Sequence, residues 1–479
     1  MRQIPKGRRK EVMMKEKNGK QLFPLTEAQK LHFFSQLQCP KKQLMNIGTS
    51  LTIQQSLDFG ALREAIYQAY ARCESMRLRF TQDEEGNVWQ YVVDREERPI
   101  EFFDFNGWRE EDAVAKMKEW TSTPFEPYDS PLNRVVIIIT PDGFQGIYLL
   151  VHHMTMDAQS LICFLKDVIE IYCNMKYEGI PYPKEMASYI EQLKKDLEYE
   201  AGSKAQQRDR EFFHNLIESS EPIFNGLRGR ELLEAARKEA GDPNLRTAVN
   251  TNGKVDASIQ VFSLEADPSR RLLEFCEQNH VSMVTLLMMG MRTYLQKFND
   301  NDEVSIVTTV ARRATLKEKR CGGTRIHCFP FQTTVKKSDT FMEGLKIIRD
   351  GQNKLFRHAN FSPTEYFYHR SQYYKNKPGH TYEPFSLTYQ PATLADKGLD
   401  RLNGIQYRTA WYSNGVAAQA LYLTVMHRAE DNGMNFNFEY QTDVVSYEEL
   451  EKFYYYLCRI MFRGIEDPNR TVGEIIDWV

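Results

Sequence analysis

The sequence predicts an α+β protein built as two similar lobes, and two observations carry that expectation. Short strand patterns rich in β-branched and aromatic residues alternate with amphipathic helical patterns along the 479 residues. A strand–turn–strand–helix pattern at 134–175 recurs at 420–462. Length supports the division, since a chain this long exceeds one ordinary core and predicts two or three domains or lobes.

The first helix is announced by "FPLTEAQKLHFF", where Thr26 and Gln29 have the spacing of a capping box. A second fits "SLDFGALREAIYQAYARCESM", with Leu62, Ile66, Ala69 and Cys73 on one face. "NVWQYVV" and "IEFFDF" read as strands. Two more strands follow around a Pro-Asp-Gly turn in "NRVVIIITPDGFQGIYLLVHH". The first of these is apolar throughout, which places it in a sheet covered on both faces. The helix "DAQSLICFLKDVIEIYCNM" then carries the stripe Leu161, Leu165, Val168 and Tyr172.

Residues 177–185, with Pro and Gly, are the first candidate boundary. Charged helical stretches run through "SYIEQLKKDLEYE" and "DREFFHNLI", and 226–257 reads as an exposed, Gly-punctuated excursion. The second half continues with the strand "SIQVFSLE", the helices "SRRLLEFCEQNH" and "SMVTLLMMGMRTYLQKF", and the strand "EVSIVTTVARR". "IHCFPFQTTV", "PFSLTYQP", a hairpin turning at Asn432-Gly433 and the helix "SYEELEKFYYYLCRIM" complete it.

Charge and cysteine usage exclude several classes. Residues 1–20 hold eight Lys or Arg against two Glu, a local +6, and the remaining residues carry −9 against a chain total of −3. That balance argues against nucleic-acid binding and reads as a basic, mobile tail over 1–20. No signal-peptide core follows the early charges, and runs such as "VVIII" fall far short of a membrane span. The eight cysteines lack CxxC or CxxxH spacing, which argues against zinc and a disulfide framework and for a cytoplasmic location. Cys321 and Cys328 bracket His327 without a common metal spacing.

The candidate chemistry lies in "YLLVHHMTMDAQS", whose paired histidines read, on residue chemistry alone, more readily as packing or surface than as catalysis. His152 and His153 are neighbours at a strand end, so extended backbone would send their side chains to opposite faces. A general base needs a neutral imidazole held through its second nitrogen. Asp157 stands at the following helix start, where it can orient a histidine, pair with a cation or cap the helix.

"HHMTMDA" resembles the HHxxxDG signature of nonribosomal peptide synthetase condensation domains and related chloramphenicol-acetyltransferase-like acyltransferases. "LTEAQKLHFF" is similar to that family's opening motif, and "RCESMRLRF" resembles its RHExLRxxF at Arg72, Glu74, Arg77 and Phe80. "VTTVARR", "IHCFPFQTTV", "SLTYQP" and "FEYQTDVVSYEELEKF" follow in the family's order, so the resemblance covers about 21–479. Departures include Ala158 for a glycine, His327 and Phe331 in the floor motif, Phe213 for a tryptophan, and "RHANFSP" for HQxxPF.

The resemblance implies two-layer α/β sandwich lobes in a V-shaped pseudo-dimer with a central tunnel. It divides the chain into 21–180, an N-terminal lobe carrying HHxxxD, and 181–479, a C-terminal lobe with floor and latch segments. It assigns His153 to the acceptor, as base or by positioning it, and His152 to structure. It pairs Asp157 with an arginine from the other lobe, Arg312 first and Arg313 as the alternative. The backbone N–H of Ala158 would help to hold an oxyanion. The implied function is a free-standing acyltransferase joining an acyl group from a carrier-protein thioester to an amine acceptor. Ester formation from a carrier or CoA thioester, and a non-catalytic module that docks carriers, are the alternatives. No adenylate-forming or carrier motif is present, so the donor would arrive on the phosphopantetheine of a separate carrier protein or on CoA, with no bound cofactor or metal.

Overall fold

A computed structural model describes residues 14–17, 19–251, 253–391, 407–428 and 431–477. The chain forms two compact units. The first comprises 1–210, 311–326 and 392–415, and the second 211–310, 327–391 and 416–479. The first unit therefore runs past 180, and it recruits two segments that the sequence reading assigns to the C-terminal lobe. The physical reason is packing: Tyr189, Leu193, Leu197 and Cys321 share a buried cluster with Phe23, Leu25 and Phe80.

The larger sheet of the first unit has the order 407–412, 46–53, 145–152, 133–139, 101–104, and all its pairs are antiparallel except the last. The apolar strand Asn133–Ile139 is covered on both faces, as its composition predicts. Val135 and Ile137 pack with the helices Phe59–Arg72 and Ala158–Lys176, while Val136 and Ile138 pack with Met117 and Trp120 of the helix Glu110–Ser122. The motif arginines and Glu74 brace this unit. Arg72 reaches Asp167 at 2.7 Å, Arg77 donates to the carbonyls of Tyr70 and Asp94, and Glu74 accepts from Ser188 and from the Ile190 N–H.

A second sheet of this unit joins strands 15–17, 20–24, 88–92 and 78–82. Part of the expected tail is thus a strand, because Lys15 pairs with Asp83 at 2.9 Å and lies over the Trp89 ring. The rest of the tail, 1–13 and 18, lies outside the described residues.

In the second unit, six strands run in the order 257–264, 434–441, 421–427, 385–390, 303–310, 327–334. The largely buried helix Met283–Asn299 is its central core element. The stretch 226–257 is more structured than expected. It contains the helix Glu231–Ala240, whose Leu233 and Ala236 bury against Phe224 and Ala248. The hairpin-plus-helix unit recurs as the sequence pattern predicts: 133–139, 145–152 and 158–176 in one unit, 421–427, 434–441 and 447–466 in the other.

Candidate active site

The strand Gln145–His152 ends at the first histidine, and a turn begins at His153. The two imidazoles are therefore separated by a change of backbone rather than by strand alternation. His152 is buried, with Nε2 3.0 Å from Gln36 Oε1 and Nδ1 accepting the Met154 N–H at 3.2 Å. These partners define the tautomer, with the proton on Nε2. Burial, with a smaller contribution from His153, lowers its pKa to about 3, so the ring is neutral near pH 7.

His153 is half-buried, and its N–H donates to the Met45 carbonyl at 2.7 Å. Burial lowers its pKa, while its own main-chain carbonyl and Asp157 oppose that shift. The result is a neutral imidazole, the form a proton acceptor requires. Its Nδ1 is buried and makes no hydrogen bond to another residue. The ring stacks on His32, with centroids 3.9 Å apart and 23° between planes.

Asp157 caps the helix Ala158–Lys176 by accepting the Ser160 N–H at 2.9 Å. It also accepts from Ser160 Oγ, from the Arg325 N–H, and from Arg313 Nη2 at 3.0 and 2.9 Å. Burial pushes its pKa up, but Arg313 and the Ser160 donors more than offset this and hold it below the usual carboxylate range. Both the capping and the cation-pairing readings of this residue hold together.

The partner arginine is Arg313, and both residues belong to the first unit. The preference for Arg312 is thus corrected. Arg312 adopts left-handed backbone, φ 53°, and its side chain lies 3.6 Å from Asp196. Arg313 is held along its length by the carbonyls of Glu318, Cys321 and Gly323. Adjacent residues diverge at such a bend, so only one of the two can reach Asp157.

Ala158 is the first helical residue and has no positive φ, so a side chain at the family's glycine position adds no backbone strain. Its N–H lies at the positive end of the helix dipole, where developing negative charge is favoured.

Sequence reasoning misses the residues that the first helix contributes. Gln29, His32 and Gln36 on Glu27–Gln38 contact Met154, His153 and His152 respectively. A polar stripe at i, i+3 and i+7 is the available signal, and the sequence reading takes it only as a cap. Among the described residues no group of three His, Cys, Asp or Glu is placed to hold a metal, and no helix is long and apolar enough to cross a membrane.

Comparison with known proteins bears on this geometry. The model of the condensation domain matches residues 20–476. Surfactin synthase subunit 1 of Bacillus subtilis (strain 168) is 22% identical over 464 residues, 95% of this chain and 12% of that protein. Bacitracin synthase 3 of Bacillus licheniformis is 20% identical over 458 residues, 95% of this chain and 7% of that protein. The chain thus spans less than a fifth of either relative. Among solved structures, the first condensation domain of the calcium-dependent antibiotic synthetase, in complex with a substrate analogue, aligns with TM-score 0.76 at 19% identity, covering 94% of this chain and 98% of that one. A variant of the starter condensation domain of rhizomide synthetase in complex with C8-CoA aligns with TM-score 0.77 at 16% identity, covering 94% and 96%. The chain belongs to the condensation-domain family of acyltransferases, which form amide bonds in nonribosomal peptide synthesis.

Proposed function

We propose that the chain transfers an acyl group from the phosphopantetheine thioester of a separate carrier protein to an amine acceptor. The observation that carries this reading is a neutral, half-buried His153 beside the fully compensated Asp157–Arg313 pair at a helix start. The acceptor nitrogen attacks the thioester carbonyl and a C–N bond forms. The C–S bond then breaks, and the nitrogen's proton passes by way of His153 to the leaving thiolate, giving amide and free thiol. His153 accepts and returns that proton through Nε2. Asp157 and Arg313 act by holding the turn and the helix start in place, since every Asp157 oxygen already has donors. The Ala158 N–H supplies a donor for the developing oxyanion. His152, with both nitrogens engaged, serves as scaffold.

Intact-mass analysis of an acyl-loaded carrier with an amine acceptor tests the proposal. Wild type is expected to unload the carrier with amide formation, and His153→Ala to slow this about 10²- to 10⁴-fold, the usual contribution of acid–base catalysis. Persistent carrier binding without product would replace the enzyme reading with that of a docking module. Product from an alcohol acceptor but not an amine would replace amide with ester formation.

A further inference from the structure

One face of the helix Glu27–Gln38 touches each of three consecutive residues at the strand end. Gln29 Nε2 lies 3.4 Å from the Met154 carbonyl, the His32 ring lies on the His153 ring at 3.9 Å, and Gln36 Oε1 meets His152 Nε2 at 3.0 Å. The spacing i, i+3, i+7 makes these one helical stripe. The helix is itself anchored. Thr26 and Gln29 form a capping box, and Gln29 bonds Gln90 Oε1 at 2.8 Å and the Tyr189 hydroxyl at 3.1 Å. His32 is 7% exposed, so its ring has little room to swing away.

A histidine that handles protons is ordinarily oriented by a hydrogen bond to its second nitrogen. At His153 that nitrogen, Nδ1, is buried and makes no hydrogen bond to another residue, the ring meeting its own main-chain carbonyl. The flat face of His32 is the contact from another residue that constrains the ring. We propose that His32 is a positioning residue for acyl transfer, setting the plane of the His153 imidazole by stacking, in addition to the ring's local contact with its own carbonyl. This rests on His153 being the group that serves the acceptor. The stack requires a flat ring more than a titratable one. Phenylalanine at this position keeps the face, whereas alanine or leucine removes it.

The test combines kinetics on a loaded carrier with 1H–13C NMR of protein labelled at histidine Cε1. H32A and H32L are each expected to lower kcat about 10- to 100-fold, the scale on which small misplacements act. KM for the carrier should change less than about threefold, because binding is not what the stack supplies. H32F should restore kcat to within about fivefold of wild type, since ring packing alone is retained. The His153 Hε1 resonance, shielded by the ring above it, should move downfield in H32A and H32L and stay in place in H32F. Unchanged kcat in H32A, equal impairment of H32F and H32A, or an unmoved His153 resonance would each overturn the proposal. Wild-type activity in H153A would overturn the reaction reading instead, while the resonance still reports whether His32 sets the ring.

Discussion

Asp157→Ala is expected to destabilise the protein severely, through what it leaves behind. The carboxylate is 1% exposed and accepts five hydrogen bonds: two from Arg313, two from Ser160 and one from the Arg325 N–H. Truncation strands the Arg313 guanidinium, whose side chain is 2% exposed, without its counter-charge. Breaking a buried pair by removing one partner costs about 3–5 kcal/mol. At about 2–4 °C per kcal/mol for a unit of this size, the midpoint should fall by about 6–20 °C. Differential scanning calorimetry on D157A, R313A, R312A and the two double variants provides the assay. D157A and R313A should show a coupling energy of about 2–3 kcal/mol, as expected for residues in direct contact. D157A and R312A should couple by less than about 1 kcal/mol, because Arg312 pairs with Asp196 instead. A midpoint drop under about 3 °C for D157A, or stronger coupling to Arg312 than to Arg313, would show that Asp157 and Arg313 are not a stabilising buried pair.

Three further outcomes follow from the same geometry. His152 has a folded pKa of about 3, below its unfolded value near 6.5, so it stabilises the fold fully above pH 6.5 and progressively less as pH falls. Denaturant melts should lose about 2 kcal/mol between pH 7 and pH 5 from this group, and a fall no larger than that of a His152→Gln variant would contradict it. Gly146→Ala should cost about 3 kcal/mol or abolish soluble expression, because the added Cβ would meet the Leu51 carbonyl oxygen at 2.0 Å inside the strand pair; a wild-type melting curve would contradict it. Ile137→Ala, in the strand covered on both faces, should cost about 2–5 kcal/mol in urea unfolding, and a cost below about 1 kcal/mol would show that site to be loosely packed.

Local chemistry was legible wherever one residue type answers one need. Thr26 with Gln29 announced a helix start, "VVIII" announced a doubly covered strand, and Asn432 takes the positive φ of the hairpin turn. The recurrence of hairpin plus helix was legible because periodicity switches from two to 3.6 at the same point in both copies. What escaped depends on tertiary geometry. Arg312 and Arg313 are chemically identical neighbours, and only the bend at Arg312 decides which of them faces Asp157. The assignment of 311–326 to the first unit depends on contacts such as the Asp157 bond to the Arg325 N–H, 168 positions away in sequence. The excursion 226–257 looked exposed because its helix buries only two of ten residues, Leu233 and Ala236. His32 was hidden because stacking leaves no sequence signature beyond its place in a polar stripe.

The role proposed for His153 is to serve an amine acceptor against an externally supplied thioester. Intact mass spectrometry of an acyl-loaded carrier, incubated with acceptor and either wild type or H153A, tests it most directly. Amide product and free thiol are expected with wild type, slowed about 10²- to 10⁴-fold in H153A. Equal rates of unloading with the two proteins would contradict it.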